Sequence, residues 1–295
     1  MIEIVWAGEQ VTIDARSDQL EKACKALYGG AVKSAPDTTE PTIILEEVTA
    51  SCGSTLKISG GGRETAAATQ TFASMGALLI ELRDRVQYQL IKDNREGFVI
   101  HGGLAHFRGC NYLFPALSGS GKTSLAAWFL DQGGLLLSDE ISLVELGGDV
   151  SGFPQALNVK AGGIAVVEQL ERFKNFRETA LPSIHGGLFL PWQQSAPPGI
   201  ADCPLKIIQP AFNREASALR AKPMSGAEKM QLLMENCLNI RNFPDHPLGK
   251  LKQICEQFQG IKLEYGSFEQ LGGFFQENSH LSVNHPESSG SLQRQ

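Results

Sequence analysis

Long apolar runs and a signal-peptide pattern are both missing from this 295-residue chain. No stretch reaches the roughly 18 consecutive apolar residues that a membrane helix needs. The start, MIEIVW, lacks the basic and apolar regions of a signal peptide. The six cysteines are scattered without a Cys-x-x-Cys pair, which is typical of reduced, structural thiols rather than of a zinc site or disulfide framework. We therefore expect a cytoplasmic protein that does not bind membranes.

The chain also has fewer basic than acidic residues. The chain has 26 Lys and Arg against 32 Asp and Glu, so its formal net charge is −6, and no block of basic residues occurs. This balance argues against non-specific binding to nucleic acid or to an anionic membrane surface. Any binding of phosphate must therefore be local. The length allows one large domain, or a large and a small one, around a sizeable core.

The most informative feature that is present is ALSGSGKT at residues 116–123, which fits the phosphate-binding loop pattern (A or G)-x4-G-K-(S or T). The apolar run 111–117 predicts a buried strand before the loop, with Pro115 at its end because proline cannot donate to a sheet ladder. The run 123–130 has the apolar spacing of a helix, which Gly133-Gly134 would end. This order indicates a nucleotide site; the alternative is an ordinary Gly/Ser turn with a surface lysine.

The expected cofactors are ATP and Mg²⁺, although the sequence leaves the nucleotide preference open. Gly119 and Gly121 would let the backbone curl so that successive N–H groups and the helix N-terminus face the phosphates. Lys122, expected to be exposed and to contact only ligand, would reach the β- and γ-phosphates, and the Thr123 hydroxyl would take one Mg²⁺ position. The predicted nucleotide-binding residues are Ser118, Gly119, Ser120, Gly121, Lys122, Thr123 and Ser124.

An acidic pair and a histidine are candidate partners of this loop. Asp139 and Glu140 end the apolar run that follows the loop helix, where a parallel sheet would bring carboxylates beside the phosphates. One could hold Mg²⁺ and the other accept a proton; the alternative is a solvated strand end. His101 ends the short apolar run FVIH. A lone histidine is usually structural, so spacing alone does not make it catalytic.

The chain divides into three predicted regions. Residues 1–63 consist of short alternating apolar runs that predict a small β-rich N-terminal unit. Alternating strands and helices in 64–276 predict an α/β core, and 277–295 is expected to be a disordered tail. An amphipathic helix ending near Asn94 is predicted from apolar residues spaced three or four apart, namely Phe72, Met75, Leu79, Leu82, Val86 and Leu90.

Downstream elements are less regular. The Gly- and Pro-rich segment 147–210 is expected to supply substrate loops, with one helix at 166–173. Ser225 and Glu228 form a capping-box pattern for a helix to about residue 240, and Pro247 opens another helix that Gly260 would close. A late strand is predicted at 261–265, and the packed region is expected to end at 272–275.

Three motifs together carry a family resemblance. HGGL (101–104), SGSGKT (118–123) and LLSDE (136–140) resemble the catalytic domain of the HPr serine kinase/phosphorylase family, above all its diverged members, the HPr-kinase-related kinases. The loop and acidic pair are also similar to those of ATP-dependent phosphoenolpyruvate carboxykinase. The resemblance covers residues 97–146, more loosely 160–270, and not the N-terminal unit. It implies a P-loop kinase core of this type.

The resemblance also implies roles for individual residues. It assigns His101 to the active site near the acceptor, Lys122 and Thr123 to phosphates and metal, and Asp139 to the first acid of the pair. Glu140 stands where the family has aspartate, which leaves its part in metal binding open. The predicted catalytic residues are His101, Lys122 and Asp139, and the predicted metal ligands are Thr123, Asp139 and Glu140. The family's later segment for HPr binding is not found, and a homo-oligomer is implied.

Three functions follow in order of preference. The first is a Mg²⁺-dependent kinase that moves the ATP γ-phosphoryl to a hydroxyl, with a serine of a peptide or protein as first choice. The second is a P-loop nucleotide-binding switch or ATPase. The third is a small-molecule kinase or carboxykinase-like enzyme. The sequence does not name the acceptor or choose the base among His101, Asp139 and Glu140.

Several other side chains are weaker candidates. Lys160 could reach a phosphate, although an exposed lysine without a role is the simpler interpretation. His185, in a second His-Gly-Gly sequence, could line an acceptor pocket or be an ordinary loop residue. The arginines that could stabilise charge are Arg172, Arg177, Arg214 and Arg241.

Overall fold

A computed structural model describes residues 1–36, 39–50, 53–62, 69–116, 119–192, 199–201 and 203–277. These residues form a mixed α/β protein with three sheets. The strands are β1 (Ile2–Trp6), β2 (Glu9–Ala15), β3 (Val32–Ser34), β4 (Ile43–Ala50), β5 (Gly53–Gly60), β6 (Gln70–Phe72), β7 (Gly97–Phe107), β8 (Cys110–Pro115), β9 (Leu135–Ser138), β10 (Ile141–Glu145), β11 (Val150–Gly152), β12 (Leu157–Val159), β13 (Leu181–Pro182), β14 (Leu188–Leu190), β15 (Leu205–Phe212), β16 (Arg220–Pro223) and β17 (Gln259–Tyr265). The α-helices are α1 (Asp18–Tyr28), α2 (Met75–Ile91), α3 (Lys122–Asp131), α4 (Ala161–Val167), α5 (Gly226–Asn236), α6 (Pro247–Gln257) and α7 (Phe268–Glu277).

The N-terminal sheet has the strand order β3-β1-β2-β4-β5-β6. Its strands pair antiparallel except β2 with β4. The β-rich character of this part was predicted, but α1 was not. Ser17 caps α1 by accepting a hydrogen bond from the backbone N–H of Leu20, and Leu20, Cys24 and Leu27 are buried at helical spacing.

Helix α2 joins the N-terminal sheet to the rest of the molecule. It lies where the apolar spacing predicted a helix, and it buries Leu78, Leu82 and Val86 in a core that also contains Val99 and Phe153. The N-terminal sheet and the strands around β7 therefore share one hydrophobic core. This shared core links α2 to the start of β7 through Val99.

The central sheet has the order β11-β10-β7-β8-β15-β17-β16, and β9 also pairs with β7. Only β8, β15 and β17 run parallel to one another. The acidic pair was expected at the end of a strand in a parallel sheet, and this detail is wrong. Strands β9 and β10 both pair antiparallel with β7, so Asp139 and Glu140 lie in the connection between them. A small third sheet has the order β12-β14-β13.

Several boundaries differ from the predicted ones. The helix expected at 166–173 is the shorter α4, followed by a 3₁₀ turn at Glu171–Phe173. Gly260 lies inside β17 rather than closing α6, and residues 272–275 lie inside α7. The capping box of Ser225 with Glu228 and the proline at the start of α6 are confirmed. The predicted tail, apart from Glu277, lies outside the described residues. Among helices of the described ranges, none is long and apolar enough to cross a bilayer.

Candidate functional site

The middle of β7 brings together the two motifs that flank it. On one side Gly102 pairs with Pro115, the last residue of β8 before the phosphate loop. On the other side His101 pairs with Ile141, and the Gly102 N–H donates to the carbonyl of Glu140 at 3.0 Å. The histidine, the loop and the acidic pair therefore meet at one point of the sheet, although they are separate in sequence.

The phosphate loop has the backbone that its glycines predict. Gly119 and Gly121 have φ values of +88° and +94°, a region that favours glycine. A Cβ on Gly121 would lie 2.9 Å from Cβ of Phe212 and 3.0 Å from the Tyr265 hydroxyl, so a side chain there is also excluded by space. The loop ends at the N-terminus of α3, where the first N–H groups, including those of Thr123 and Ser124, have no partner within the helix. Ser118 lies outside the described residues.

Lys122 differs from its expected exposure. Its side chain is 9% exposed, and its ammonium group donates to the backbone carbonyl of Ala116 at the start of the loop. Burial lowers the pKa of Lys122, while Glu140 and Asp139 oppose that change and Lys160 adds to it. The lysine is thus held inside the loop that it would serve, and it does not extend into solvent.

Asp139 lies against the start of α3. The Thr123 hydroxyl donates to Asp139 Oδ2 at 3.2 Å, and the carboxyl is almost fully buried. Burial, followed by the charge of Glu140, raises the pKa of Asp139 to about 8. Thr123, Lys122 and the backbone N–H of Asn158 oppose this change. Its Oδ1 is buried without a hydrogen-bond partner among the described residues. Such an atom costs free energy unless a ligand satisfies it.

Glu140 points to a different partner. Its Oε1 lies 3.5 Å from the guanidinium of Arg83, a largely buried residue of α2 that also contacts Asp84 at 2.7 Å. The turn between the two acids is held by Ser138, whose hydroxyl donates to the carbonyl of Ile141 and accepts from the N–H of Glu140. The two neighbouring carboxylates therefore face different groups: one faces α3 and the other faces α2.

His101 is half-buried between these groups. Burial lowers the pKa of His101, and Lys122 and Arg83 lower it further, against the opposing charge of Glu140. The imidazole is therefore mainly neutral at neutral pH and able to accept a proton. The charges of Lys122 in the loop and of Glu140 in the acidic pair both act on the imidazole.

His101 also lines a cleft on the α2 side of the sheet. The cleft has a volume of about 1040 Å³ and lies between α2, the end of the N-terminal sheet and the segment 238–242. The segment 238–242 approaches β7 directly, since the N–H of Leu238 donates to the carbonyl of Val99 at 2.8 Å. A molecule in this cleft would meet the face of β7 next to the phosphate loop.

The weaker candidates separate into two groups. Lys160 lies near enough to the loop to influence Lys122, and Arg241 lines the cleft. Arg172 instead donates to the carbonyl of Leu130 at the far end of α3, and Arg177 pairs with Glu168 on the surface. Neither of these last two is placed to stabilise charge at the loop.

The exposed His185 and Arg214 lie beside elements of the site. His185 has a φ of +52°, and a Cβ on the nearby Gly187 would lie 3.0 Å from the carbonyl of Val159, just before Lys160. Arg214 follows Phe212, whose N–H donates to the Ser120 carbonyl at 3.0 Å. The described structure gives neither His185 nor Arg214 an ion pair.

Three supporting residues were not identified from the sequence. Ser138 fixes the acidic turn, Arg83 holds Glu140, and the Tyr265 hydroxyl lies 3.4 Å from the Gly121 carbonyl. Serine immediately before an acidic pair is a detectable signal for a side-chain-held turn. Arg83 and Tyr265 carry no local signal, because their contacts span 57 and 144 positions of the chain.

The residues present fit a nucleotide with a magnesium ion. Buried Ser120 Oγ and Asp139 Oδ1 both lack partners within the described structure, and both belong to the loop and its acidic neighbour. In the same residues no group of three or more His, Cys, Asp or Glu side chains could hold a metal. Mg²⁺ in phosphate sites keeps several waters and takes one or two protein ligands. Thr123 and Asp139 meet that requirement jointly with a phosphate.

Comparison of the chain with protein-family models and with curated proteins gives no match in either case.

Proposed function

We propose that this chain is a Mg²⁺-dependent phosphotransferase that moves the γ-phosphoryl group of ATP to a hydroxyl. One observation carries the proposal: a glycine loop leads into a helix N-terminus, and two buried polar atoms without partners among the described residues lie there. They are Ser120 Oγ in the loop and Asp139 Oδ1 in the acidic turn, beside the Thr123–Asp139 hydrogen bond. Helix N-termini with unpaired N–H groups bind phosphate. The resemblance to HPr-kinase-related kinases is compatible with this proposal and adds a P-loop kinase core to it.

The loop would bind and orient the nucleotide. Bound Mg²⁺·ATP supplies the phosphoryl group and neutralises much of its charge. The N–H groups of residues 119–124 and the Lys122 ammonium would stabilise the remaining negative charge. Without nucleotide, the Lys122 ammonium donates to the Ala116 carbonyl inside the loop. To contact a bound phosphate, it would exchange that carbonyl for a phosphate oxygen.

His101 and Asp139 would have different roles, one as the base and the other as a metal ligand. A lowered pKa leaves the imidazole of His101 neutral, so one ring nitrogen could take the proton of the acceptor hydroxyl. A pKa raised to about 8 keeps the Asp139 carboxyl protonated until positive charge approaches it. Asp139 is therefore the better metal ligand with Thr123, and His101 is the better base. Glu140, paired with Arg83, would hold that base in place.

The cleft at His101 favours transfer to an acceptor over simple hydrolysis. A nucleotide switch or ATPase has no need of a large cleft at His101. A carboxykinase-like function receives less support, since Arg172 and Arg177 bind elsewhere and assemble no acid-binding set at the loop.

The test is a phosphoryl-transfer assay with γ-labelled ATP, Mg²⁺ and a library of serine-containing peptides, with a mixture of small hydroxyl compounds in parallel. We expect label to move to an acceptor only when Mg²⁺ is present, and EDTA to stop it. Rapid release of inorganic phosphate with every acceptor left unlabelled would favour the ATPase. Absence of ATP binding in equilibrium dialysis would contradict both.

A further inference from the structure

One face of α2 forms a wall of the cleft at His101. The wall residues Glu81, Asp84, Arg85, Tyr88 and Lys92 recur three or four positions apart, which places them on one side of the helix. The opposite side of α2 is buried in the core. The cleft is therefore lined by a defined helical face rather than by a chance group of surface residues.

The charges of this wall are not balanced. Both acids are paired, Glu81 with Arg85 at 2.7 Å and Asp84 with Arg83 at 2.7 Å. The exposed cations Lys92 and Arg241 also line the cleft, and within the described ranges neither forms an ion pair. The unpaired charge of the cleft is therefore positive.

These two cations lie together at one end. Asn242, next to Arg241, donates to the backbone carbonyls of Ile91 and Asn94 at 2.9 and 3.0 Å, so Arg241 lies at the C-terminal end of α2 with Lys92. One lysine there would suit the helix dipole alone. The dipole also favours a second cation, but two unpaired like charges at one end repel each other unless an anion approaches both.

The cationic end is separated from His101 by a measurable length. Arg83, which contacts Glu140 near His101, precedes Lys92, the C-cap residue of α2, by nine positions. At 1.5 Å per residue the two lie ~13 Å apart along the helix axis. An extended chain covers ~3.3 Å per residue, so about four residues span that length.

We propose that this cleft binds an extended acidic peptide segment, with its accepting hydroxyl at His101 and carboxylates about four residues away at Lys92 and Arg241. Transfer of phosphate to this peptide rests on the proposed function, whereas binding of the peptide rests only on the shape and charge of the cleft. A volume of about 1040 Å³ lies at the upper limit of the ~300–1,000 Å³ typical of small-molecule pockets, which favours a peptide.

The binding arm of the test uses fluorescein-labelled peptides with one central serine, Gly and Ala spacers, and a Glu pair placed either before or after the serine. A third peptide carries a Lys pair instead. We expect the full chain to bind one of the two Glu peptides and to discriminate against the Lys peptide by anisotropy. The variant Lys92→Glu/Arg241→Glu should lose about tenfold in affinity for the Glu peptide and gain affinity for the Lys peptide.

The matched control reverses two exposed lysines far from the cleft, Lys33→Glu/Lys222→Glu, on β3 and β16. It has the same change in net charge and should bind as the wild type does. If its affinity falls as much as that of the cleft variant, the effect comes from net charge and the proposal is wrong. If the double reversal fails to fold, the milder variant Lys92→Gln/Arg241→Gln replaces it. Removing the two charges without reversing them should weaken binding of the Glu peptide about threefold.

The transfer arm separates this inference from the proposed function. We expect the KM for the Glu peptide to rise about tenfold in Lys92→Glu/Arg241→Glu while Mg²⁺·ATP binding is unchanged. ATP-dependent transfer that ignores peptide charge, or that proceeds equally well to free serine, would overturn the acidic-peptide inference alone. Charge-selective peptide binding without ATP binding would instead overturn the kinase and leave the cleft as a peptide site.

Discussion

Two lysines, Lys122 and Lys229, are buried to the same extent, each with 9% of its side chain exposed. In the α5–α6 region, Lys229 donates to the backbone carbonyls of Cys255 and Phe258, where α6 ends. At the phosphate loop, Lys122 donates to the carbonyl of Ala116 and lies among the charges of Asp139, Glu140 and Lys160. Burial alone therefore does not distinguish a structural lysine from a functional one.

The surroundings of the two lysines make the difference. In the α5–α6 region no described side chain has a buried polar atom without a partner, whereas Ser120 and Asp139 at the loop both have one. Lys229 donates hydrogen bonds to carbonyls at the C-terminus of α6, where a helix has no backbone donors for them. The loop stays incomplete without a ligand. Other buried polar atoms without partners among the described residues belong to Trp6, Tyr28, Asn94 and Gln155. Such atoms therefore indicate a binding site at the loop only because they lie beside charged groups and a glycine-loop backbone.

The largest expected effect comes from substituting each lysine by methionine, which keeps the apolar stem and removes the charge. Lys122→Met should reduce phosphoryl transfer by about 10³-fold or more, because it removes charge stabilisation at the phosphates, while stability stays within about 1 kcal/mol. Lys229→Met should lower the free energy of unfolding by about 2–4 kcal/mol, because two carbonyls lose their donor. Urea denaturation and kinetics on both variants measure the contrast.

The comparison breaks if the two variants exchange behaviour. A strongly destabilised Lys122→Met that keeps normal kcat while folded would make Lys122 a structural residue. A stable Lys229→Met with impaired transfer would place function in the α5–α6 region.

Asp139→Asn is the next largest change and sharpens the comparison within the acidic pair. It keeps the size of the side chain and removes the charge that would attract Mg²⁺, so transfer should fall by about 10²–10³-fold. ATP binding without Mg²⁺ should be unchanged. Normal transfer by Asp139→Asn would make the pair an ordinary strand connection.

The same variant has a pH signature in the ligand-free protein. The pKa of Asp139 is raised to about 8 from a reference value of 3.8, so between these pH values the folded protein holds a proton that the unfolded chain has released. Stability therefore falls as pH rises from about 4 to about 8, and Asp139→Asn should remove this slope and be more stable than wild type at pH 8. Thermal melts at pH 5 and pH 8 measure it. Glu140→Gln is the matched comparison: it removes the second cause of the raised pKa and leaves burial, so it should reduce the slope without abolishing it.

His101→Gln tests whether the imidazole works with the loop or belongs to the core. Loss of a base should lower kcat by about 10²-fold while ATP affinity and the melting temperature stay close to wild type. A half-buried structural histidine would instead lower the melting temperature and leave the surviving folded enzyme active. A pH profile of kcat/KM that loses its acidic limb in His101→Gln would identify the titrating group.

Local chemistry explains which parts of the fold could be predicted. Helices α2, α5 and α6 follow from apolar spacing, a capping box and an N-terminal proline, and β8 with α3 follows from the loop pattern. Each signal lies within a few residues of the element that it specifies. Helix α1 was missed because its short, charged sequence looked like part of a β-rich unit, although its buried residues have helical spacing.

The arrangement of the site depends on long-range pairing that no short segment encodes. Asp139 and Glu140 were predicted as site residues, but their separation toward α3 and α2 results from antiparallel pairing of β9 and β10 with the single long strand β7. The burial of Lys122 likewise depends on packing around the loop. The cleft requires α2, the N-terminal sheet and 238–242 to meet, three segments that are distant in sequence.

The smallest expected effect is at Tyr265, which connects β17 to the loop. Its hydroxyl is buried and lies 3.4 Å from the Gly121 carbonyl. Its ring contacts the ring of Phe212 behind the loop. Tyr265→Phe keeps the ring and removes one long hydrogen bond, so stability should fall by about 0.5–1.5 kcal/mol. Because the loop would hold its phosphate less firmly, the KM for ATP should rise two- to fivefold, roughly 0.4–1 kcal/mol, with kcat almost unchanged.

Phe243→Leu, in the core of the α5–α6 region, serves as the control: a comparable loss of stability there should leave the KM for ATP at its wild-type value. An equal rise in KM in both variants would mean that general loosening, and not the contact at Gly121, weakens nucleotide binding.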